Sequence, residues 1–531
     1  MSENKSMNMP ALYTLMTVWF FWSFVAASNG ILIPLFKEKF LLSQTQAQLV
    51  DFAFYAAYFV GSWMYLFFSK ITKTDILNKI GYKNGIIAGL CLSALGTLLF
   101  YPAAEIGSYA MLLSGLFAVG LGFSLQQTAT QPFMIALGPP ETGALRINMG
   151  GAVNNFGGTI GPALVSYAIF GSISKEAAEA ASIQDVKIPY LILGVLFVAV
   201  ALFFRLSKLP EIKNKEEVQV NNALILAPLL LILGFGGITF ISNIENAILA
   251  AFGVMLLFLI YALFRGLGSG VKKVTESVFS YPQALLGMAA IFVYVGVEVT
   301  IGSNLGEYLK ETENLDSSEI SKYVSLFWGS MMIGRWLASM PAFNPSAMLK
   351  KVLTWVVPFV AFGIVLFANS LYSGDVSDLF PYSICIVIMI LAFIASKERP
   401  VLILLIFTAL GAVMTLVGVL TTGTIALFSL ISGGLFCSIL WPSIFSLGTA
   451  GLGKYTNQGA ALLIMMILGG AILPVIQGKL ADISSIRVSY LLATAGFLYL
   501  FAFGIITRRV LRKQGIDFDA EVTKKSSEEK H

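Results

Sequence analysis

Runs of about twenty apolar residues, separated by short polar stretches, recur from Ala11 to Arg508. Each is long enough to cross a bilayer as a helix. In the first half they fall at 11–36, 46–69, 84–101, 107–135, 148–171 and 187–207. A polar stretch, 208–222, follows and is rich in Lys and Glu. Two runs with few polar residues come next, 223–241 and 247–265, joined by Ser242-Asn243-Ile244-Glu245-Asn246. The second half continues with 281–306, 321–341, 349–369, 380–396, 400–420, 422–448, 457–477 and 488–508. The pattern predicts sixteen spans and no soluble core.

A duplication organises these spans. Gln131-Pro132-Phe133-Met134-Ile135-Ala136-Leu137-Gly138 matches Trp441-Pro442-Ser443-Ile444-Phe445-Ser446-Leu447-Gly448 at an offset of 310. Phe156-Gly157-Gly158-Thr159-Ile160-Gly161-Pro162 matches Leu468-Gly469-Gly470-Ala471-Ile472-Leu473-Pro474 at 312. An earlier pair, Val60-Gly61-Ser62-Trp63 and Ile333-Gly334-Arg335-Trp336, stands 273 apart. Two six-helix repeats with a hairpin inserted at 223–265 and another at about 345–398 account for all three offsets. The expected organisation is a bundle at 11–207, a linker at 208–222, the first hairpin at 223–265, a second bundle at 281–508 and a tail at 509–531. Duplicated bundles with a polar site between the halves are a common transporter plan.

Composition agrees: 57% of residues are hydrophobic and 12% charged, with a mean hydropathy of +0.82. The one histidine is His531, which excludes a His-ligated metal or a His proton relay. Cys91, Cys385 and Cys437 all lie in apolar runs and read as small core residues, not as a disulfide framework. No nucleophile–base or metal constellation appears, so an enzyme is not expected. The net charge of +5 is modest and implies no nucleic-acid partner. Its distribution is informative. With the N-terminus inside, the inner loops carry Lys70, Lys73, Lys79, Lys83, Arg146, Lys208, Lys213, Lys215, Lys272, Lys273, Lys350, Lys351, Lys397, Arg399 and Lys454. The tail adds Arg508, Arg509, Arg512 and Lys513, and the outer loops hold about half as many cations. Both termini are therefore expected in the cytoplasm of a cell (inner) membrane protein, with the first run an uncleaved helix.

Three charged residues stand inside predicted spans, where each costs about 2.5–3.5 kcal/mol at a helix centre. Glu298 lies within Tyr294-Val295-Gly296-Val297-Glu298-Val299-Thr300. It reads as a protonatable coupling site or a partner for a substrate hydroxyl. The alternative is a structural bond to a neighbouring helix. Asp51 lies near the start of the second helix, where water reaches it more cheaply, and is the second coupling candidate. Arg335 lies near the inner end of its helix and reads as a gating residue that braces or snorkels. Uncharged amides form another cluster. Gln126, Gln127 and Gln131 share one helix, and Asn148, Asn154 and Asn155 the next. Gln127 and Gln131 are four apart, on one face. Paired amide donors and acceptors suit vicinal hydroxyls, although amides also join membrane helices. The repeat mates are apolar or aromatic: Trp441 stands for Gln131 and Met466 for Asn154. Trp22 and Trp441 read either as apolar platforms for a sugar ring or as anchors at the membrane interface. The crowded Gly150, Gly151, Gly157, Gly158 and Gly161 imply close helix packing.

These motifs resemble the major facilitator superfamily and, within it, the fucose–galactose–glucose:cation symporter family. Ser28-Asn29-Gly30-Ile31-Leu32-Ile33-Pro34 is similar to that family's first-helix Asn-Asp-Ile-Leu-Pro signature. Lys79-Ile80-Gly81-Tyr82-Lys83-Asn84-Gly85-Ile86 resembles its loop before helix three. Arg146-Ile147-Asn148 followed by Asn154 resembles its fifth-helix pattern. The Tyr294–Ser303 stretch and Leu452-Gly453-Lys454-Tyr455-Thr456-Asn457-Gln458-Gly459 resemble the glucose/galactose branch. The resemblance implies an all-α integral membrane protein of the major facilitator fold. It also implies uptake of a hexose with a proton or sodium ion by rocker-switch alternating access, with no bound cofactor. Asn154 falls on a sugar-contacting asparagine. Gly30 and Gln127 fall where fucose-transporting relatives carry acids. The expected substrate-binding set is Asn29, Gln127, Gln131, Asn154, Asn155, Glu298 and Trp441, in a monomer whose partners are a small-molecule sugar and membrane lipid. The alternatives are a sodium-coupled carrier, an uncoupled sugar facilitator or drug exporter, and a transport-deficient sugar sensor.

Overall fold

A computed structural model describes residues 8–41, 49–139, 142–170, 182–212, 220–268, 277–313, 317–343, 345–373 and 375–517. Residues 213–219 of the expected linker, Lys272 and Lys273 of the inner-loop charges, and residues 518–531 of the tail lie outside that set. Among the described residues every regular element is helical. Two compact units are present: Met1–Pro139 with Gly150–Gln219, and Pro140–Met149 with Val220–His531.

The first unit contains α1 (Met9–Lys39), α2 (Leu49–Ile71), α3 (Tyr82–Leu98), α4 (Tyr109–Ala136), most of α5 (Gly143–Phe170) and α6 (Lys187–Leu206). The α3–α4 pair is packed closely, because glycines stand at the crossing. A Cβ at Gly96 would lie 2.7 Å from the Val119 nitrogen, and one at Gly89 2.6 Å from the Gly122 carbonyl oxygen. Glycine also brings α5 onto α1: a Cβ at Gly157 would overlap the Phe20 carbonyl oxygen. This is the small-residue packing expected where lipid removes the hydrophobic drive between helices. Between α2 and α3 a short helix, Ile76–Ile80, is capped by Asp75, whose buried carboxylate also accepts from the Tyr65 hydroxyl at 2.7 Å. The Lys83 ammonium donates to the carbonyls of Arg205 and Ser207 at the end of α6.

The second unit contains α7 (Ala223–Ile241), α8 (Ile244–Leu267), α9 (Pro282–Thr312), α10 (Ser317–Ser339), α11 (Ala347–Ser373), α12 (Ser383–Ser396) and α13 (Pro400–Leu420). Three more spans follow: α14 (Gly423–Thr449), α15 (Gly453–Ile483) and α16 (Leu491–Lys513). Residues Pro282 to Val297 of α9 are buried without exception, since α8, α10, α14, α15 and α16 all pack on it. A helix apolar on every side belongs at such a centre. α14 is broken into Gly423–Ile431, Gly433–Cys437 and Leu440–Thr449, and α15 is interrupted at Met466–Leu468. The α7–α8 hairpin meets its unit through α8, where the Tyr499 hydroxyl donates to the Leu259 carbonyl. The α11–α12 hairpin meets it through α13, α14 and α10; at α10 the Ser330 and Tyr382 hydroxyls are 2.7 Å apart and Lys322 pairs with Asp378.

Among the described residues fourteen helices are long and apolar enough to cross a membrane. The two long helices outside that set are α5, rich in glycine and asparagine, and α10, which starts at Ser317-Ser318-Glu319. The fold is that of a multi-pass, all-helical membrane protein.

Candidate functional site

Each unit carries its own polar cluster. In the first, α4 turns consecutive amides to different neighbours, as a 3.6-residue period requires. Gln126 is fully buried. It accepts from the Trp22 indole N–H at 3.0 Å and donates to the Ser93 hydroxyl at 3.2 Å. Gln126 and Trp22 are thereby joining elements of α1, α3 and α4. Gln127 points elsewhere: its Nε2 donates to the Tyr58 hydroxyl at 3.3 Å, and its Oε1 accepts from Gln131 Nε2 at 3.3 Å. The Gln127–Gln131 pair predicted to share a face does so, with Tyr58 of α2 as a third member that sequence reasoning missed. Tyr58 stands seven residues after Asp51, about two helical turns along α2. That spacing sets Tyr58 on the same side of α2 as Asp51, but it does not name Gln127 as its partner.

On α5, Asn154 is partly exposed and donates to Asn155 Oδ1 at 3.4 Å. Among the described residues no donor reaches the buried Asn154 Oδ1. A buried acceptor without a donor is costly, so its presence calls for a ligand or other explanation. Asn29 lies within α1, and its side chain lies outside the described residues. Asp51 occupies the first turn of α2 and is partly exposed, so the helix N-terminus stabilises its charge as well as water does. Arg146 departs from its expected place in a loop. It sits in the first turn of α5, fully buried, and donates to the Thr142 hydroxyl at 2.7 Å.

In the second unit, Glu298 is the first partly exposed residue after the buried run of α9. One turn earlier stands Tyr294, whose hydroxyl lies beside the Glu298 carboxylate, and the Arg335 guanidinium acts on both. Arg335 is buried, which excludes the snorkelling reading. Its Nη2 donates to the Tyr294 hydroxyl at 3.3 Å and its Nε to the Ser438 carbonyl at 2.8 Å. Trp441 lies nearby on α14, its ring 6.1 Å from that of Tyr294 and stacked on Phe445. Tyr294 belongs to the Tyr294–Ser303 motif but not to the expected site. Its i, i+4 spacing from Glu298 was the available signal. The structure thus brings Glu298, Arg335 and Trp441 together in one unit, and Gln127 with Gln131 in the other.

The Major Facilitator Superfamily model matches residues 14–397. The chain belongs to that superfamily. A relative from Brucella abortus named "Glucose/galactose transporter" is 30% identical over 498 residues, covering 93% of each chain. The Escherichia coli protein named "L-fucose-proton symporter" is 25% identical, covering 92% of this chain and 91% of that one. Among solved structures, a Major Facilitator Superfamily transporter, FucP, in the outward conformation shares the fold, with a TM-score of 0.61 at 23% identity, over 93% of this chain and 98% of that one. The family makes this chain a secondary transporter.

Proposed function

We propose that this chain is a hexose:proton symporter of the glucose/galactose type, working by alternating access. The relatives' names supply the substrate class. The observation within the molecule that carries the coupling is Glu298, an acid in the middle of α9 at the end of its buried run, beside Tyr294 and Arg335. An acid so placed takes a proton from one side of the membrane and releases it to the other as the sugar crosses. Gln127, Gln131, Asn154 and Asn155 supply amides for sugar hydroxyls. The unpartnered Asn154 Oδ1 supports this, because a hydroxyl donor would satisfy it. Asn29 adds a further amide, Trp441 an apolar surface for the ring, and Asp51 is the second candidate for coupling.

The same reading puts the protein in the cell (inner) membrane as a monomer with both termini inside. It treats 223–265 and about 345–398 as accessory hairpins outside a twelve-helix core. Counterflow of labelled glucose or galactose in proteoliposomes, with and without an imposed pH gradient, tests it. The expected result is exchange without a gradient and accumulation with one. Accumulation driven by sodium alone would replace the proton by sodium. Exchange that no gradient turns into accumulation would make the chain a facilitator. Sugar binding with no exchange at all would make it a sensor.

A further inference from the structure

Pro442 has no N–H, so it cannot bond the carbonyl four residues earlier, at Ser438. That carbonyl belongs to the break of α14, between Gly433–Cys437 and Leu440–Thr449. A buried carbonyl without a donor is strongly disfavoured. Arg335 supplies the donor from α10, Nε to Ser438 oxygen at 2.8 Å. The approach is possible because the preceding residue is Gly334. A Cβ there would stand 2.6 Å from the Ser438 Cβ. The other arm of the same guanidinium reaches the Tyr294 hydroxyl, next to Glu298. One planar cation therefore touches the acid's corner and the broken helix that carries Trp441.

We propose that Arg335 is a positioning residue that ties the Glu298 corner to the break in α14, so that proton occupancy at Glu298 changes the brace on the Trp441 segment. The proposal rests on the reading of Glu298 as the proton site. Among the described residues, Tyr294 of α9 and Arg335 of α10 act on Glu298, and Glu298 in turn acts on Cys437 of α14. The other helices packed on α9, namely α8, α15 and α16, carry their charged residues toward their ends. With Glu298 charged, the guanidinium is shared between the carboxylate's field and the Ser438 carbonyl. With Glu298 neutral, that attraction is gone and the guanidinium is committed to Ser438 and Tyr294. A change at one end of such a bridge must be felt at the other, and the coupling is reciprocal. Lysine cannot replace it, because a single ammonium lacks the fork that spans two acceptors.

Two substitutions test the bridge without touching Glu298. Pro442→Ala restores an N–H that competes with Arg335 for the Ser438 carbonyl. Arg335→Lys keeps the charge but not the fork. In proteoliposomes, Pro442→Ala is expected to retain sugar counterflow while pH-driven accumulation falls about tenfold, the size of one lost charge-assisted hydrogen bond. Arg335→Lys is expected to flatten the pH dependence of exchange in the same way. Wild-type accumulation in both variants overturns the proposal, and so does a parallel loss of counterflow and accumulation, which marks a purely structural role. Glu298→Gln run alongside separates the two readings. If it loses accumulation while the bridge variants behave as wild type, the proton site stands and the bridge falls. If it keeps accumulation, the proton site itself falls.

Discussion

The crossing of α2 with α4 and the crossing of α10 with α14 are built on the same plan and filled with different chemistry. In the first unit Gly61 lets α4 approach, and a Cβ there would lie 2.8 Å from the Ser124 Cβ. In the second unit Gly334 meets Ser438 in the same manner. The residue after each glycine differs. Ser62 shares a hydroxyl–hydroxyl bond of 3.1 Å with Ser124, whereas Arg335 donates to the Ser438 backbone. The prolines differ as well: Pro132 sits inside the unbroken α4, while Pro442 follows a break. The duplicated scaffold thus holds a neutral amide cluster in one half and an acid–arginine corner in the other. Neutral amides suit a neutral polyol. A carboxylate near a cation suits a charge that comes and goes.

The comparison is most easily broken at the two glycines. Gly334→Ala should lower stability more than Gly61→Ala, because its Cβ meets Ser438 more closely. Overpacking of this kind costs about 1–3 kcal/mol. Thermal unfolding in detergent measures it, and equal or reversed shifts would mean that the two crossings are not tight to the degree described. The next effect is on affinity. Asn154→Ala should weaken sugar binding by about 1–3 kcal/mol while leaving the pH-gradient response of transport in place. Unchanged affinity in a well-folded variant would remove Asn154 from the site. The smallest effect is expected from deleting residues 223–265 and restoring a short polar linker. Tyr499 loses its acceptor at Leu259 and α9, α15 and α16 lose the packing of α8, yet no residue of either polar cluster is removed. Exchange should survive in the protein that inserts, and its complete loss would make the hairpin part of the transport core.

Much of the architecture was legible from the apolar runs. The run at 281–306 becomes α9, and the run at 187–207 becomes α6 almost residue for residue. Chain-length periodicity carries that information because lipid demands a continuous hydrogen-bonded helix. The interruptions were not legible. The breaks in α14 and at Met466–Leu468 depend on which neighbour offers a donor or a gap, and apolar pattern says nothing of that. The same limit applies to the site. The shared face of Gln127 and Gln131 follows from spacing, but Tyr58 as their partner does not. Arg146 was counted as a loop charge because a positive residue before a helix ordinarily faces water. Its complete burial is a tertiary fact. Arg335 was placed correctly along its helix, and only the structure assigns it to the carbonyl that Pro442 releases.

In the proposed mechanism the second unit's acid converts a sugar carrier into a proton-driven one. The most direct measurement compares wild type and Glu298→Gln in proteoliposomes, recording sugar counterflow without a gradient and sugar accumulation under an inward proton gradient. The account predicts counterflow in both and accumulation in the wild type alone, since the amide mimics the neutral acid permanently. Accumulation by Glu298→Gln on the proton gradient would contradict it and move the coupling role to Asp51.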